Sequence, residues 1–262
     1  MDGHAGQLLG EDRRDHILHA LAEKGSVKVA HLSQLLGCSE ATLRRDLQQM
    51  EDAGLLRRTH GGALRAHPQA SLAERTLGDK IALCAEEKHA IGRAAAKLVA
   101  PDDVVALNGG TTTLQVAKAL KTVGPLRLIT NSLGAATELA DQPAIEVTVT
   151  GGTLRGSLEL HGPHAEQLLN GLFVHTAFIG VDGLTVRHGL TTYNQQEAHT
   201  NRVIMSRAER VVVVADHSKI GRVTMALIAP ISEIHVVITD TKAPENELFA
   251  LRAAGIEVII AS

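Results

Sequence analysis

The sequence predicts an α/β fold for its larger, C-terminal part, built on a mainly parallel sheet, and a small N-terminal winged helix-turn-helix domain before it. Two observations lead to this prediction. Apolar residues recur at helical spacing in three short segments of the first sixty-odd residues. From Glu86 onward, short β-rich segments alternate with helical ones, which is typical of parallel strands covered on both faces. The expected boundaries are 12–67 for the first domain, 68–85 for a linker and 86–262 for the second domain.

The composition argues against several classes of protein. No apolar run reaches the roughly 20 residues that cross a bilayer, and the N-terminus lacks the basic start and apolar centre of a secretory signal. Two cysteines, Cys38 and Cys84, are too few for a disulfide scaffold or a four-ligand zinc site. With one Tyr, three Phe and no Trp, stacking on RNA or single strands is disfavoured. We therefore expect a cytoplasmic protein that does not bind membranes and carries no cofactor.

The 14 histidines raise the question of a metal site. His161 and His164 could share a helix edge, and His217 follows Asp216. No cysteine or further acidic residue lies at ligand spacing from these histidines in the chain. The sequence therefore predicts no metal site.

The first domain contains three predicted helices. They cover Arg14–Lys24, Val29–Leu36 and a segment that begins after Ser39. Ser39 is a residue type that caps helices, and Gly37 breaks the pattern before it. Leu43, Leu47 and Met50 form one stripe of the third helix and would pack against the first two helices.

The other face of the third helix is polar and would meet the major groove of a duplex, as the second helix of a helix-turn-helix does. Its exposed candidates for DNA contact are Ser39, Glu40, Thr42, Arg44, Arg45 and Gln49. Arginine can bond bidentately to guanine, which is worth about 1–3 kcal/mol of discrimination. Asp46 would be repelled by DNA, and we expect it to pair with a nearby arginine inside the protein.

The segment from Leu55 to Ala63 suits two short strands joined by a tight turn, which would form the wing. Arg57, Arg58 and His60 on this wing would hold phosphates, which position the protein without reading sequence. The net charge of the chain is −3, yet no carboxylate lies between Asp52 and Glu74. The positive charge is therefore local, although a solvated arginine face on a structural three-helix unit is the alternative.

The sequence from Ser39 to Ala63 resembles the DeoR-type winged helix-turn-helix, whose pattern runs from S-x-x-T-L/I-R-R-D-L to L-x-R-x-H-G-G-A. The matching residues are Ser39, Thr42, Leu43, Arg44, Arg45, Asp46, Leu47, Leu56, Arg58, His60, Gly61, Gly62 and Ala63. Cys38 stands where the family often has Val, which is a packing substitution. The resemblance implies that the first domain binds double-stranded operator DNA.

The second domain has an alternating pattern of predicted strands and helices. The strands are Val104–Leu107, Leu126–Thr130, Ile145–Thr150, Ala177–Gly180, Val211–Ala215, Ile234–Thr239 and Ile256–Ile260. The helices are Thr112–Thr122, Ser132–Ala140, Pro163–Leu172, Gln195–Ala208 and Pro244–Ala254. Ligands of such sheets bind at the carboxyl ends of the strands.

Polar or Gly-rich turns follow five of these strands. They are Asn108–Thr113, Thr130–Ser132, Gly151–Arg155, Asp182-Gly183 and Asp216–Lys219. Glycines let backbone N–H groups approach an anion, and a helix N-terminus favours negative charge. One such turn is usually only a turn, but five at one edge predict a crevice for a small, hydroxylated anion.

Residues from about 74 onward also resemble a family, the effector domain of DeoR-type regulators, a relative of ribose-5-phosphate isomerase. The matching pieces are Glu87-Lys88-x-x-Ile91-Gly92, Gly109–Thr112, Thr130–Ser132, Gly151-Gly152, Ala177–Gly180, Gly189-x-Thr191-Thr192-x-Asn194-x-x-Glu197-Ala198 and Asp216-x-Ser218-Lys219. The resemblance implies a phosphorylated sugar or related metabolite as effector, with its phosphate on Gly110, Thr111 and Thr112. The hydroxyl or carbonyl end would meet Asn131, Asp182, Glu197 and Lys219. The wider set of expected effector contacts adds Gly109, Thr130, Ser132, Gly152, Arg155 and Gly183.

Three functions compete at this point. The resemblance favours a repressor of carbohydrate-metabolism genes that a phosphorylated sugar relieves, with no catalytic residue. The alternative is a sugar-phosphate isomerase with a DNA-binding appendage, since Asp182, Glu197 and Lys219 could move a proton. A nicotinamide enzyme is disfavoured because no strand is followed by G-x-G-x-x-G. One helix-turn-helix reads few base pairs, so we expect a homodimer or homotetramer.

Overall fold

The computed structural model describes residues 10–24, 26–52, 55–59, 61–65, 77–155 and 157–262. The chain divides into two compact units, Met1–Ser71 and Leu72–Ser262. The division falls within the segment 68–85, where the sequence predicts a linker. Among the described helices, none is long and apolar enough to cross a membrane.

The first unit is a three-helix bundle with a small antiparallel sheet. Its elements are α1 (Gly10–Lys24), β1 (Ser26–Lys28), α2 (Val29–Leu36), α3 (Glu40–Asp52), β2 (Leu56–Thr59) and β3 (Gly62–Arg65). The core contains Ile17, Leu21, Leu32, Leu43, Leu47 and Met50, each at most 1% exposed. The predicted winged helix-turn-helix is confirmed, with its third helix packed on the first two through the stripe of Leu43, Leu47 and Met50.

The sequence did not predict β1, which joins the wing hairpin as a third strand in the order β1-β3-β2. Its pairing places Val27 opposite Ala63 and Lys28 opposite Gly62 in β3. A Cβ atom at Gly62 would lie 1.9 Å from the carbonyl oxygen of Val27, so the close approach of these strands requires glycine there.

The second unit has a seven-stranded parallel sheet with helices on both faces. Its first half contains α4 (Leu77–Ala82), α5 (Ala85–Ala96), β4 (Val104–Leu107), α6 (Thr111–Leu120), β5 (Leu126–Thr130), α7 (Leu133–Leu139), β6 (Ile145–Val149), β7 (Thr153–Arg155) and β8 (Glu159–His161). Its second half contains α8 (Pro163–Asn170), β9 (Val174–Gly180), β10 (Gly183–Thr185), β11 (Gly189–Thr192), α9 (Gln195–Ser206), β12 (Ala208–Val214), β13 (Ala226–Ala229), β14 (Val236–Asp240), α10 (Glu245–Ala253) and β15 (Glu257–Ala261). The predicted α/β class is confirmed.

Alternate residues of the central strands face opposite sides of the sheet and belong to different hydrophobic clusters. Ala177 and Ile179 of β9 lie in one cluster, whereas Phe178 between them lies in the other. Both faces of the sheet are therefore buried, which explains why the strands read as continuous apolar runs rather than as alternating ones.

The strand order places a topological switch point between β4 and β9. The order is β15-β14-β12-β9-β4-β5-β6, so the chain runs outward from β4 in one direction and then returns to build the other half. Loops that leave neighbouring strands at such a point diverge to opposite faces and open a crevice between them.

Two small antiparallel sheets stand outside the parallel one. The β7–β8 hairpin lies between β6 and α8, and the sheet β10-β11-β13 follows β9. The sequence did not predict these strands because each has only three or four residues, too few for a periodic pattern.

Candidate functional site

The polar face of α3 begins with a capped N-terminus. Ser39 Oγ accepts a hydrogen bond of 3.1 Å from the backbone N–H of Thr42, and the two hydroxyl oxygens lie 2.9 Å apart. This cap leaves Glu40 in the first turn, where a carboxylate is favourable to the helix dipole. The cap fixes the start of the helix that would enter a groove.

Two arginines of α3 differ in their surroundings. Arg44 Nη2 lies 3.0 Å from Glu40 Oε2, and both side chains are exposed. Arg45 is exposed and has no hydrogen bond or ion pair with any of the described residues. Arg45 is therefore the α3 guanidinium that is free to meet a base edge.

Asp46 is buried beneath this face and pairs with an arginine of α1. Arg13 Nε lies 2.9 Å from Asp46 Oδ2, and the contact raises the pKa of Arg13 above its ordinary value. The expectation that Asp46 pairs inside the protein is confirmed. The pair neutralises the carboxylate that would otherwise repel a phosphate backbone.

Two other residues that are predicted to contact DNA, Gln49 and Arg58, form hydrogen bonds with side chains of neighbouring elements. Gln49 Oε1 accepts a hydrogen bond from Arg14, and Arg58 in β2 donates one to Gln48. Arg14 thus places a positive charge beside Gln49, and the sequence pattern did not predict this arginine as a DNA contact. The side chain of Arg57 and the whole of His60 lie outside the described residues.

The second site is a cleft at the switch point between β4 and β9, which we call the switch-point cleft. It encloses about 450 Å³ including its open mouth. Its walls are formed by Leu77, Lys80, Gly109, Gly110, Thr111, Thr112, Ser157, Glu159, Gly180, Val181, Asp182, Glu197 and Lys219.

The floor of the switch-point cleft is the Gly109-Gly110 turn, which leads from β4 into α6. Gly110 has a φ of +146°, a conformation that favours glycine, and no side chain caps the helix there. A Cβ atom at Gly109 would lie 1.9 Å from Glu159 Cγ. The first-turn N–H groups of α6 have no partner within the helix, so Thr111 and Thr112 present backbone donors to the cleft.

Two buried asparagines hold this turn in place. Asn131 Oδ1 accepts from the N–H of Gly109 at 3.0 Å, and its Nδ2 donates to the carbonyl of Leu160 at 3.1 Å. Asn108 bonds both the N–H and the carbonyl of Gly180, at 2.8 and 2.9 Å. The side-chain amide of Asn108 therefore takes the place of a backbone hydrogen-bonding group at the point where β4 and β9 separate.

The predicted contacts of the Thr130–Ser132 turn are used within the protein. Thr130 Oγ1 donates to the carbonyl of Leu107 at 2.8 Å, and Ser132 Oγ accepts from the N–H of Ala135 at 3.2 Å. Together with Asn131, these residues lie behind the Gly109 turn rather than in the wall of the cleft. Asn131 positions the turn, Thr130 bonds the end of β4 and Ser132 caps α7, and the sequence pattern alone did not distinguish these roles from ligand contact.

One wall carries Asp182 between two lysines. Lys219 Nζ lies 3.0 Å and Lys80 Nζ 3.4 Å from Asp182 Oδ1, while Thr192 donates a hydrogen bond of 3.2 Å to Oδ2. Burial alone would raise the pKa of Asp182, but Lys219 and then Lys80 outweigh it, and the pKa lies below its ordinary 3.8. The wall therefore holds one ionised carboxylate and two ammonium groups.

Two further carboxyl groups line the cleft, those of Glu159 and Glu197. Glu159 on β8 is buried, and its Oε2 has no hydrogen-bond partner among the described residues, although His161 Nε2 lies 3.3 Å away. The pKa of Glu197 is raised well above its ordinary 4.5, first by burial and then by repulsion from Glu159 and Asp182. Burial and the two neighbouring carboxyl groups therefore make it harder to ionise Glu197 than a free glutamate.

The structure brings together seven of the predicted effector contacts. Those in the cleft walls are Gly109, Gly110, Thr111, Thr112, Asp182, Glu197 and Lys219. Gly152 and Arg155 are exposed around β7 and are not among the residues that line the cleft. Gly183 packs inside the small sheet, where an added Cβ would lie 2.5 Å from the carbonyl oxygen of Arg222.

Sequence reasoning missed several residues of the cleft. Leu77 and Lys80 come from α4, within the segment where a linker was predicted, and Ser157 and Glu159 come from the β7–β8 hairpin. No motif in the chain marks these residues, because their position depends on packing between segments far apart in sequence.

Comparison with known proteins gives consistent matches over both units. Residues 13–69 match the model of the DeoR-like helix-turn-helix domain, and residues 83–241 match that of the DeoR C-terminal sensor domain. The chain is 37% identical to the HTH-type transcriptional regulator GlpR of Haloferax volcanii over 254 residues, which cover 96% of this chain and 98% of that protein. It is 32% identical to the HTH-type transcriptional repressor GlcR of Bacillus subtilis (95% and 96% covered).

Among solved structures, the chain is similar to ribose-5-phosphate isomerase A from Methanocaldococcus jannaschii. The TM-score is 0.40 at 19% identity, over 52% of this chain and 55% of that chain.

Proposed function

Because the chain belongs to the DeoR family of transcriptional regulators, we propose that it represses carbohydrate-metabolism genes and leaves its operator when a phosphorylated sugar binds the switch-point cleft. The observation that carries the proposal is the uncapped Gly109-Gly110 turn at the start of α6, which faces two lysines across one cleft. We expect operator binding in the cytoplasm and no turnover of the sugar.

The first unit supports the DNA-binding half of the proposal. Arg45 is exposed and unpaired among the described residues, and Thr42 and Gln49 lie on the same face of α3. Arg44, Ser39 and Glu40 lie at the start of this face. We propose that Arg45 contacts a base edge in the major groove, and that Arg57, Arg58 and His60 of the wing hold phosphates.

The cleft supports the effector half. Backbone N–H groups and hydroxyls of Thr111 and Thr112 at the helix N-terminus would hold a phosphate, as anions are held in many α/β proteins. Lys219 and Lys80 would turn partly from Asp182 toward the added negative charge. The carboxyl groups of Asp182, Glu159 and Glu197 would then form hydrogen bonds with the sugar hydroxyls.

The direction of control follows from differential binding. A ligand lowers affinity for DNA only if it binds more tightly to the arrangement of the chain that does not fit the operator. We propose that this holds here and that the sugar phosphate acts as an inducer. Each chain carries one helix-turn-helix, so a homodimer or homotetramer would read half-sites about 34–36 Å apart or a multiple of that distance.

Two variants separate the activities. Arg45→Ala should weaken specific operator binding by roughly 5- to 150-fold, the equivalent of one lost base contact of about 1–3 kcal/mol, while thermal stabilisation by the effector persists. The double variant Thr112→Ala/Lys219→Ala should lose that stabilisation and keep operator binding. Arg127→Ala and Lys121→Ala serve as matched controls, because both are exposed and paired on the surface of the second unit.

The measurements are a thermal-shift screen over pentose, hexose and amino-sugar phosphates, followed by operator band shifts with and without the stabilising compound. If Arg45→Ala and Thr112→Ala/Lys219→Ala each weaken operator binding and effector binding equally, the two activities do not belong to separate units of the chain. A complex that tightens on adding the compound would contradict induction. Steady isomerisation of any compound in the screen would show that the chain is an enzyme.

A further inference from the structure

A second cluster of polar side chains lies outside the walls of the switch-point cleft. Cys84 precedes α5, and Asp216 and His217 follow β12. One donor atom from each of the three lies within 4.8 Å of the others, and Cys84 Sγ lies 4.0 Å from His217 Nε2. Cys84 and His217 are 133 positions apart in the chain, which is why ligand spacing in the sequence did not reveal the cluster.

The imidazole of His217 is oriented toward the other two side chains. Its Nδ1 lies 3.0 Å from Asp240 Oδ1, and Asp240 Oδ2 accepts the backbone N–H of His217 at 2.7 Å. A carboxylate at Nδ1 makes that nitrogen the donor and leaves the lone pair of Nε2 directed at Cys84. Histidines that bind metals are held in this way by a carboxylate behind the ring.

Asp216 supplies a buried carboxylate oxygen without a hydrogen bond. The side chain is 0% exposed, and its Oδ1 accepts both the N–H and the hydroxyl of Ser218, at 3.0 and 2.5 Å. Its Oδ2 has no hydrogen-bond partner among the described residues; the nearest cation there is Lys88, whose Nζ lies 3.7 Å away. A carboxylate oxygen left unsatisfied in the interior is costly unless something else occupies the space beside it.

Lys88 does not hydrogen-bond this oxygen, because two of its three N–H donors are used elsewhere and 3.7 Å is too long for a hydrogen bond. Its Nζ lies 2.5 Å from each of the carbonyl oxygens of Lys80 and Leu83, and the side chain is 3% exposed. Lys88 therefore ties the end of α4 to α5 and contributes its charge at a longer distance.

The charged side chains around the cluster include three carboxyl groups and two lysines. The carboxyl groups belong to Asp216, Asp240 and Glu87, and the lysines are Lys88 and Lys242, the latter 2.7 Å from Glu87 Oε1. Lys219 lies nearby and pairs with Asp182. Burial, and then Asp216 and Glu87, raises the pKa of the Cys84 thiol to about 12, so a metal ion displaces a proton from Cys84 when it binds.

We propose that Cys84, Asp216 and His217 bind a divalent transition metal, with zinc as the ion that fits best. Sulfur, imidazole nitrogen and carboxylate oxygen are the three ligand types of tetrahedral zinc, and three protein ligands leave the fourth position to water. Zinc–ligand bonds of about 2.0–2.3 Å place the ligand atoms of a tetrahedral site roughly 3.5 Å from one another. The donor atoms of the three side chains lie within 4.8 Å of one another, so small side-chain rotations bring them to this distance. The proposal does not rest on sugar-phosphate binding or on DNA binding.

Cobalt titration of the full-length, untagged protein tests the site, because a cobalt–thiolate bond produces an intense charge-transfer absorption that no carboxylate or imidazole gives. We expect one cobalt per chain with this absorption, displaced by one equivalent of zinc. Cys84→Ala should abolish the absorption, and Cys38→Ala should keep it, since Cys38 lies in the core of the first unit.

Two further variants test the geometry. His217→Gln should weaken zinc binding at least tenfold, with the thiolate absorption of cobalt reduced in parallel. Asp240→Asn should weaken zinc binding less while leaving the thiolate absorption, because Asp240 orients the ring and does not touch the metal. These variants report on the site even if Cys84→Ala fails to fold.

The proposal is overturned if the folded wild-type protein shows no thiolate absorption with excess cobalt. It is also overturned if the absorption survives in Cys84→Ala and disappears in Cys38→Ala, or if His217→Gln binds zinc as tightly as the wild type.

Discussion

Asn131 and Asn201, two of the buried asparagines, allow a sharp test of the hydrogen bonds that Asn131 makes behind the switch-point cleft. Both are 0% exposed, but Asn131 bonds Gly109 and Leu160, whereas both amide atoms of Asn201 have no partner among the described residues. The same substitution, Asn→Leu, is close to isosteric at both positions. The substitution should therefore destabilise the protein at Asn131 and should not destabilise it at Asn201.

The magnitude follows from the groups left behind. Asn131→Leu strands the N–H of Gly109 and the carbonyl of Leu160, at about 1–3 kcal/mol for each buried group. Asn201→Leu strands nothing and removes two unsatisfied polar atoms, so it should be neutral or stabilising. The gain from burying the isobutyl group is similar in both variants and cancels in the comparison. The free energies of unfolding should differ by at least about 2 kcal/mol.

Urea denaturation followed by tyrosine fluorescence measures this difference for the second unit alone. Tyr193 is the single tyrosine of the chain, the chain has no tryptophan, and Tyr193 lies in that unit. With a slope of about 2 kcal/mol per M, the midpoints should differ by about 1 M or more. Similar shifts of the same sign in both variants would refute the reasoning, because they would show that the bonds of Asn131 contribute nothing specific.

Three further predictions follow from single contacts. Because the folded-state pKa of Glu197 is raised, the free energy of unfolding should be highest below a pH of about 4.5 and should fall as the pH rises through the raised pKa. Glu197→Gln should make the free energy of unfolding less dependent on pH over this range. The same pH dependence in the variant would contradict the raised pKa of Glu197. Gly62→Ala, with its Cβ 1.9 Å from the oxygen of Val27, should destabilise the wing and reduce operator affinity in band shifts without changing effector binding. Asp46→Ala removes the partner of Arg13 and should lower the melting temperature of the first unit, with about 1–3 kcal/mol lost for the charged hydrogen bond; an unchanged melting temperature would show that the pair contributes nothing.

The sequence was sufficient for the elements with strong local patterns. Helix α2 was predicted with the bounds that the structure has, Val29–Leu36, and so were strands β4 and β5. These elements have clear punctuation by glycine or proline and apolar residues at one consistent period. Their identity is decided by a few neighbouring residues, so a reading of the chain alone recovers them.

The cleft could be predicted only in part. Gly109, Gly110 and Lys219 follow strands, and the rule that parallel strands present their carboxyl ends at one edge brings them together. Lys80 and Glu159 follow no such rule, since one belongs to a short helix before the sheet and the other to a three-residue strand. Their presence in the cleft depends on long-range packing that no local pattern encodes.

Some residues that the sequence predicts as ligand contacts instead hold neighbouring backbone segments in place in the structure. Asn131 and Thr130 follow β5 as the rule requires, but their side chains bond the backbone of neighbouring segments. Polar residue types at a strand end are consistent with both roles. The distinction requires knowing where the adjacent loop turns.

The β7–β8 hairpin, which extends Glu159 over the Gly109 turn, has a consequence for how such regulators diverge. Its strands pair with each other, and the hairpin backbone bonds the Asn131–Leu133 segment, while the three residues of β8 are buried. Strand β7 is exposed and pairs with no strand of the parallel sheet, so its residues can change without breaking the hydrogen bonds of that sheet. If the switch-point cleft binds the effector as proposed, substitutions in this hairpin would change which metabolite the cleft accepts, and the parallel sheet would stay unchanged.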